Sequence, residues 1–436
     1  MDARLIRPMT WRALALLAAV GLTVTWAGVA RAKSGFETPP VFKARDVAPA
    51  ELLSGRRFRV EGAVPTDGFL MRFTIKSDFG DFEARGPGML PIRVAEIGAL
   101  DELDQQSKTA IFAKAAAHAA ARPVLAAGHM VLNPVDTVAG LPSGVGRLFE
   151  RASLGAKKLA GAKEEQGAAG AATATGKAAA SVLGYESERR RLAKELKVDP
   201  YTTNPVLSKK LDEVAWVSFS GKLGMDLAIS VAVPFSMALS AASITNDLVW
   251  DTPAADLINL VEKKARALGA SETDVAAFQR NPAWSLTLQT ALTISLERMS
   301  GVGGRAEVIT LAAEALGEDE ARFLVGAVDI LNHYRDAVVG STGSSSITAL
   351  RTLGRTLAAD TRGGGLVIAA PVDYISWTET AAEFAKRPEL TSAKEKQLWV
   401  GGRLSPRARK SVAALGWTTK GQLLEVLPAT DQLTGR

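Results

Sequence analysis

The clearest alternation of apolar and polar positions lies between residues 56 and 84. Every second residue from Phe69 to Ile75 is large and apolar, a period of two that is typical of a half-buried strand. Turn-forming residues stand at 66–68 and at 77–80, so the strands are expected to fold back on one another. The pattern predicts a small antiparallel β-meander with one apolar face.

From about residue 91 the apolar positions recur with a helical spacing. The spacing predicts one helix that runs to residue 121, just before the helix-breaking Pro123. Asn204 and Pro205 then open a long region of helical patterns, which predicts a helical bundle up to residue 345. The later helices are expected at residues 255–268, 273–279, 286–299, 306–316 and 318–339.

The pattern changes again after residues 340–346, a Gly- and Ser-rich run that we interpret as a hinge. The segment GLVIAAPVDYISW predicts a buried strand that ends at Pro371. Residues 357–365 are its expected hairpin partner, and residues 396–402 are a third strand candidate. A short helix follows, with a cap at Ser405.

Together these patterns predict an α+β protein that is predominantly α-helical, with a small N-terminal antiparallel meander, a central helical bundle and a small C-terminal α+β module. The expected division is a leader at residues 1–32, an extended segment and meander at 33–90, a helical domain at 91–345 and the module at 346–436. Residues 155–181 are rich in Ala and Gly and predict a linker within the helical domain, because each glycine costs a helix about 1 kcal/mol.

The first 32 residues predict export. A basic start is followed by an uncharged apolar run at residues 13–27, and then Ala30 and Ala32 supply the small side chains of a signal peptidase site. A retained membrane anchor is the alternative, and the glycines and threonines of the run argue against it. We therefore expect a periplasmic or secreted protein.

The charge and the cysteine content exclude several kinds of partner and site. The chain has a net charge of +6, and the part that follows the leader is nearly balanced, so nucleic acid is not an expected partner. There is no cysteine, which excludes thiol catalysis, iron–sulfur clusters and thiolate zinc sites.

No catalytic or cofactor motif is recognisable. The three histidines, His118, His129 and His333, lack a metal-binding spacing, so we expect no metal. The glycines at 301–304 follow a predicted helix, whereas a dinucleotide loop follows a strand. Neither a GxSxG nor a Walker sequence occurs. We therefore expect no cofactor and favour a non-enzymatic role.

Three further features have competing interpretations. The acidic residues that begin at Glu96 could serve hydrolysis, but a solvated start of a helix is favoured. The basic residues 189–191 could contact lipid headgroups, but a solvated helix face is favoured. The uncharged residues 227–245 could enter a membrane, but Pro234 and several serines favour a helix buried in protein.

The C-terminal module is the most promising place for a ligand, because Trp377, Trp399 and Trp417 are concentrated there. Together with Asp373 and Tyr374, they would suit recognition of a sugar or peptide by stacking and hydrogen bonding. The alternative, which we favour, is that the tryptophans form the core of the module. The candidate ligand-binding residues are Asp373, Tyr374 and Trp377.

The sequence thus predicts an exported, non-enzymatic binding or scaffold protein whose partner is an envelope component or a small ligand. A membrane surface is a less favoured partner. The alternatives are a carboxylate-dependent hydrolase of envelope glycan or peptide, and a membrane-active helical protein that uses residues 227–245. Two carboxyl groups about 5–10 Å apart in a deep cleft would favour the hydrolase.

Overall fold

The computed structural model describes residues 35–120, 184–221, 243–338, 347–391 and 393–423. The predicted leader, linker and hinge lie outside the described residues, as do all but the last three of the uncharged residues 227–245.

Helices predominate, with small antiparallel sheets near the N-terminus and a mixed sheet near the C-terminus, so the predicted α+β class is confirmed. The strands are β1 (Val41–Lys43), β2 (Ser54–Gly55), β3 (Phe58–Val60), β4 (Ala63–Pro65), β5 (Arg72–Ser77), β6 (Gly80–Arg85), β7 (Ile347–Leu353), β8 (Thr356–Thr361), β9 (Leu366–Ala370), β10 (Tyr374–Ile375), β11 (Lys396–Val400), β12 (Arg403–Leu404) and β13 (Trp417–Lys420).

The helices follow the predicted succession closely in the bundle. They are α1 (Ala44–Val47), α2 (Met89–Ser107), α3 (Ala110–Ala120), α4 (residues 184–195), α5 (Pro205–Gly221), α6 (Ser243–Asp251), α7 (Ala254–Ala267), α8 (Glu272–Arg280), α9 (Leu286–Arg298), α10 (Arg305–Ala313), α11 (Glu318–Val338), α12 (Glu379–Ala385), α13 (Pro388–Thr391) and α14 (Pro406–Ala414).

The N-terminal meander is a four-stranded sheet in the order β2-β3-β5-β6, and β5 pairs antiparallel with β6. Phe73 and Ile75 point from β5 into a core, where they are buried with Val94 and Ile97 of α2. The predicted meander with one apolar face is therefore confirmed, and a long helix covers that face.

The single helix predicted from residue 91 to residue 121 is wrong, because the chain breaks between α2 and α3. Thr109 explains the break: its hydroxyl donates to the Gln106 carbonyl over 2.9 Å and accepts from the Phe112 amide over 3.1 Å. This local bonding caps the start of α3 and competes with a continuous helix.

The C-terminal sheet has five strands in the order β13-β11-β9-β8-β7. The first three strands along the chain form antiparallel hairpins, whereas β9, β11 and β13 run parallel, with α12, α13 and α14 in the connections. All five residues of β9 are buried, as expected for a strand in the middle of a covered sheet.

The two faces of this sheet belong to two different cores. One face, which includes Val367, Ala369 and Trp399, shares a core with the helices from α6 to α11. The other face, which includes Ile368 and Val400, shares a core with α12 and α14. The predicted domain boundaries stay predictions, but the bundle and the C-terminal module have a common core.

Candidate functional site

A cavity of about 390 Å³ lies where the meander, the bundle and the C-terminal sheet meet. The turn at residues 67–70 forms one wall, and the end of α10 together with the start of α11 forms the next. Strands β8, β9 and β11 close the cavity together with α12, α14 and the start of β13. The site is therefore built from parts of the chain that are far apart in sequence.

The lining of the cavity is mainly apolar. Phe323 of α11 packs against both cores of the C-terminal sheet, which places the cavity at the seam between them. Aliphatic side chains of the sheet, such as Ile368 and Leu398, form the floor. The aromatic side chains of the lining are Phe69, Phe323, Trp377, Phe384 and Trp417.

The turn that forms the first wall is organised by its own polar side chains. The carboxylate of Asp67 accepts hydrogen bonds from the amides of Phe69 and Leu70, over 2.9 and 2.8 Å. Burial of Asp67 opposes ionisation, but the hydrogen bonds from Leu70, Arg85 and Phe69 outweigh it and lower the pKa of this carboxyl. Asp67 is therefore an ionised acceptor that shapes the turn.

The turn is also fixed to the C-terminal module by backbone hydrogen bonds. The Phe69 carbonyl accepts from the amides of Asp373 and Tyr374, and the Gly68 carbonyl accepts from Ser376 over 3.0 Å. Gly68 has a φ of +99°, and a Cβ there would lie 3.0 Å from Cγ2 of Thr378. A glycine is needed because the turn is left-handed at this point and lies against the module.

The rim of the cavity carries the charged groups. Arg85 bridges two carboxylates, with 2.7 Å to Oδ2 of Asp67 and 3.3 Å to Oδ2 of Asp319. Arg355 donates to both carboxylate oxygens of Glu320. Both arginines are therefore engaged by carboxylates of the rim.

The three predicted ligand-binding residues lie together in one short segment, but only Trp377 lines the cavity. Asp373 accepts the Met71 amide over 2.8 Å and so holds the end of the turn. Tyr374 packs edge-on against Phe42, with ring centroids 5.0 Å apart. Asp373 and Tyr374 thus join the meander to the module, and Trp377 forms part of the cavity wall.

Trp377, Trp399 and Trp417 do not form one cluster, because the sheet separates them. Trp399 is 1% exposed on the bundle side, whereas Trp377 and Trp417 lie in the core on the opposite side. The favoured expectation that the tryptophans are buried core residues is confirmed for all three, since Trp377 and Trp417 are 7% and 5% exposed. Trp417 is also part of the cavity wall.

Sequence reasoning missed Phe69, Leu70 and Phe323 as parts of a candidate site. The sequence pattern indicates Phe69 only as an apolar strand position. Nothing local shows that its carbonyl meets the amides of Asp373 and Tyr374. Phe323 reads as an ordinary buried position of a helix. Only the tertiary packing brings them to one cavity.

The prediction that the acidic residues from Glu96 form a solvated helix start is wrong for Glu96, which is 2% exposed. Its carboxylate accepts from Arg93 over 2.7 Å, from Nδ2 of Asn204 over 3.0 Å and from the hydroxyl of Thr202. Arg93 also pairs with Glu318. These contacts hold α2 against residues 202–204 and against the start of α11, so the Glu96 carboxylate has a structural role.

The predicted solvated basic face at residues 189–191 is also incorrect in part. Arg189 and Arg190 are 7% and 9% exposed, and Arg189 lies 2.7 Å from Oδ1 of Asp212 in α5. Arg191 is more exposed and pairs with Glu188 and Glu195. A basic run can pack inward where the neighbouring helix supplies carboxylates.

Comparison with known proteins gives no homologue to reason from: no family model, no curated protein and no solved structure matches the chain. Within the described residues, no group of three His, Asp or Glu side chains could hold a metal ion. Over the same part of the chain, no helix combines the length and the apolar character needed to cross a membrane.

Proposed function

We propose that this chain is an exported, non-enzymatic binding protein of the periplasm or the cell exterior, and that it holds a small, mainly apolar molecule in the cavity. The observation that carries the proposal is the cavity itself. Export rests on the leader sequence, and the ligand class rests on the lining.

The volume of the cavity fits a small molecule. Ligand sites typically enclose about 300–1,000 Å³, are lined by apolar and aromatic side chains and carry a few polar groups that set orientation. The cavity has about 390 Å³, five aromatic side chains and polar groups at its rim. It also lies at a junction of structural elements, where such sites are frequently found.

The carboxylates near the cavity favour a binding role over hydrolysis. Asp67 is held by two backbone amides and Arg85, Asp319 shares Arg85, and Glu320 pairs with Arg355. A general acid or base has to reach the substrate with a free oxygen or proton. These carboxylates are instead used to organise the rim.

A fluorescence titration tests the proposal. The environment-sensitive probe N-phenylnaphthylamine should bind the leader-free protein saturably and become brighter in the cavity. Ala385, half-buried at the end of α12, lines the cavity, and an Ala385→Leu side chain would occupy part of it. We expect about a tenfold loss of affinity, since displaced apolar contact is worth about 0.8 kcal/mol per methylene.

Ala413→Leu is the matched control, because Ala413 is an exposed position of α14. It should bind the probe as the unmodified protein does. Circular dichroism and thermal melting would establish that both variants are folded. Absence of saturable binding, or equal binding by both leucine variants, would contradict the proposed cavity function.

A further inference from the structure

The turn at residues 67–70 is a wall of the cavity that also reaches the protein surface. It is the tip of a hairpin, closed by a bridge between Thr66 and Met71, and it lies between β4 and β5. Phe69 and Leu70 line the cavity, and so does Asp67, whose side chain is 43% exposed. Such a tip can open locally while the strands of the meander stay paired.

Four hydrogen bonds join this hairpin tip to residues 373–376 of the C-terminal module. Three of them link backbone groups of Gly68 and Phe69 to the module and do not depend on pH. The fourth runs from the Met71 amide to Oδ2 of Asp373 over 2.8 Å. The Asp373 carboxyl is therefore the part of this contact that can change its charge.

The surroundings of Asp373 disfavour its negative charge. The residue is partly buried, and its carboxylate has no ion pair among the described residues. The charged side chains on the elements around it are Asp67 in the turn, Lys43 on β1, Arg72 on β5, Arg85 on β6, Arg403 on β12 and Glu37 in the N-terminal segment. Among them, the negative charge of Asp67 acts on Asp373, and together with desolvation it raises the pKa of Asp373 to about 7.

On the basis of the proposed function, we infer that the turn at residues 67–70 is a gate through which the ligand enters and leaves the cavity, and that protonation of Asp373 keeps it closed. The protonated carboxyl can still accept the Met71 amide through its carbonyl oxygen, and it leaves no charge between turn and module. The ionised carboxylate favours the open turn, where water can hydrate it. The ligand is therefore retained longer in acidic than in neutral surroundings.

The expected effect follows from the pKa of Asp373 in the two states of the turn. It is about 7 when the turn is closed, and a hydrated aspartate has an ordinary value of 3.8. Opening thus becomes easier as the pH rises from about 4, and it levels off above about pH 7, where Asp373 is ionised in both states. Between pH 5 and pH 8 the equilibrium constant for opening should rise about ten- to a hundredfold.

The release rate of N-phenylnaphthylamine tests the gate. The probe is a neutral diarylamine from pH 5 to pH 8, so it does not titrate itself. In stopped-flow dilution of the leader-free protein, release should accelerate about ten- to a hundredfold over this range and then level off. Asp373→Asn should release the probe slowly at every pH. Glu383→Gln, at an exposed position of α12, is the control and should keep the full pH dependence.

Hydrogen exchange tests the same contact without any ligand. The reporter is the peptide that contains the Met71 amide, measured by mass spectrometry in the unmodified protein and in Asp373→Asn. The substitution is 302 positions from Met71, so the intrinsic exchange rate of that peptide is the same in both proteins. The ratio of the two exchange rates should therefore grow about ten- to a hundredfold between pH 5 and pH 8.

The outcomes separate this inference from the proposed function. Saturable binding with the same release rate at pH 5 and pH 8 would overturn the gate and leave the binding function intact. A pH dependence that persists in Asp373→Asn would also overturn it. If the probe does not bind, the proposed function and the ligand gate both fail, while hydrogen exchange still shows whether Asp373 holds the turn. If Asp373→Asn does not fold, the pH profile of the unmodified protein decides.

Discussion

Asp373 gives the sharpest test of how the turn at residues 67–70 is held. Burial, together with the nearby Asp67 carboxylate, raises the pKa of Asp373 to about 7, although the Met71 amide favours the ionised form. The folded protein thus binds a proton at Asp373 more tightly than the unfolded chain does. The stabilisation is complete below about pH 4 and is lost as the pH rises to about 7.

The size of the effect on folding stability follows from the difference between the pKa of Asp373 in the folded protein and that of an ordinary aspartate. An ordinary aspartate has a pKa of 3.8 and Asp373 one of about 7, so the ionised group costs the folded state up to about 4 kcal/mol above neutral pH. The Asp373→Asn side chain is neutral at every pH and keeps an oxygen that can accept the Met71 amide. We therefore expect the variant to be about 2–4 kcal/mol more stable than the unmodified protein at pH 8.

The assay is denaturant unfolding of the leader-free protein at pH 4, 6 and 8, followed by fluorescence. The stability difference between Asp373→Asn and the unmodified protein should be small at pH 4 and grow up to pH 8. Glu383→Gln, at an exposed position of α12, is the control and should show no such trend. A difference that does not depend on pH, or a variant that is less stable at pH 8, would refute the reasoning.

Three further predictions concern the core, the buried ion pair and processing. Trp399→Ala should destabilise the protein by about 3–5 kcal/mol, because a fully buried indole is removed; a near-unchanged melting temperature would contradict this. Glu96→Ala should cost about 3–5 kcal/mol in urea unfolding, since it leaves Arg93 buried with one partner fewer. Mass spectrometry of protein from the envelope of a bacterial host should find the mature N-terminus at Lys33, and an intact Met1 would contradict cleavage.

Local signals in the sequence identify most of the helices and strands. Ser271, Ser285 and Ser405 each accept an amide hydrogen bond at the start of a helix, so the helix boundaries near them could be read from residue type. The alternation in β5 and the continuous apolar run of β9 were equally informative. In these elements local preference and tertiary packing agree.

The interpretation of the glycines at 301–304 was incomplete because their role is tertiary. Gly303 pairs with β7, which the sequence pattern did not reveal: its amide donates to Thr348 over 2.9 Å, and its carbonyl accepts from Leu350 over 2.8 Å. A Cβ on Gly304 would come 1.9 Å from the Leu350 carbonyl oxygen. Gly304 is therefore needed where two backbone segments approach, which local pattern cannot show.

The candidate site was less predictable than the fold because the contacts that form it span most of the chain. The Met71 amide and the Asp373 carboxylate are 302 positions apart, and Trp377 donates its amide to Glu37 across 340 positions. Glu37 also accepts from the Ser405 hydroxyl, and so holds the N-terminal segment against the N-cap of α14.

These large separations along the sequence affect the order in which the protein folds. A contact between distant positions closes a long loop of chain and so lowers the conformational entropy. This loss is compensated only when the apolar surfaces pack. The walls of the cavity contain residues from 67 to 417, so the cavity cannot be completed until both ends of the chain are present. Under the proposed export, with the N-terminus crossing the membrane first, the cavity would therefore be completed only after the chain has crossed.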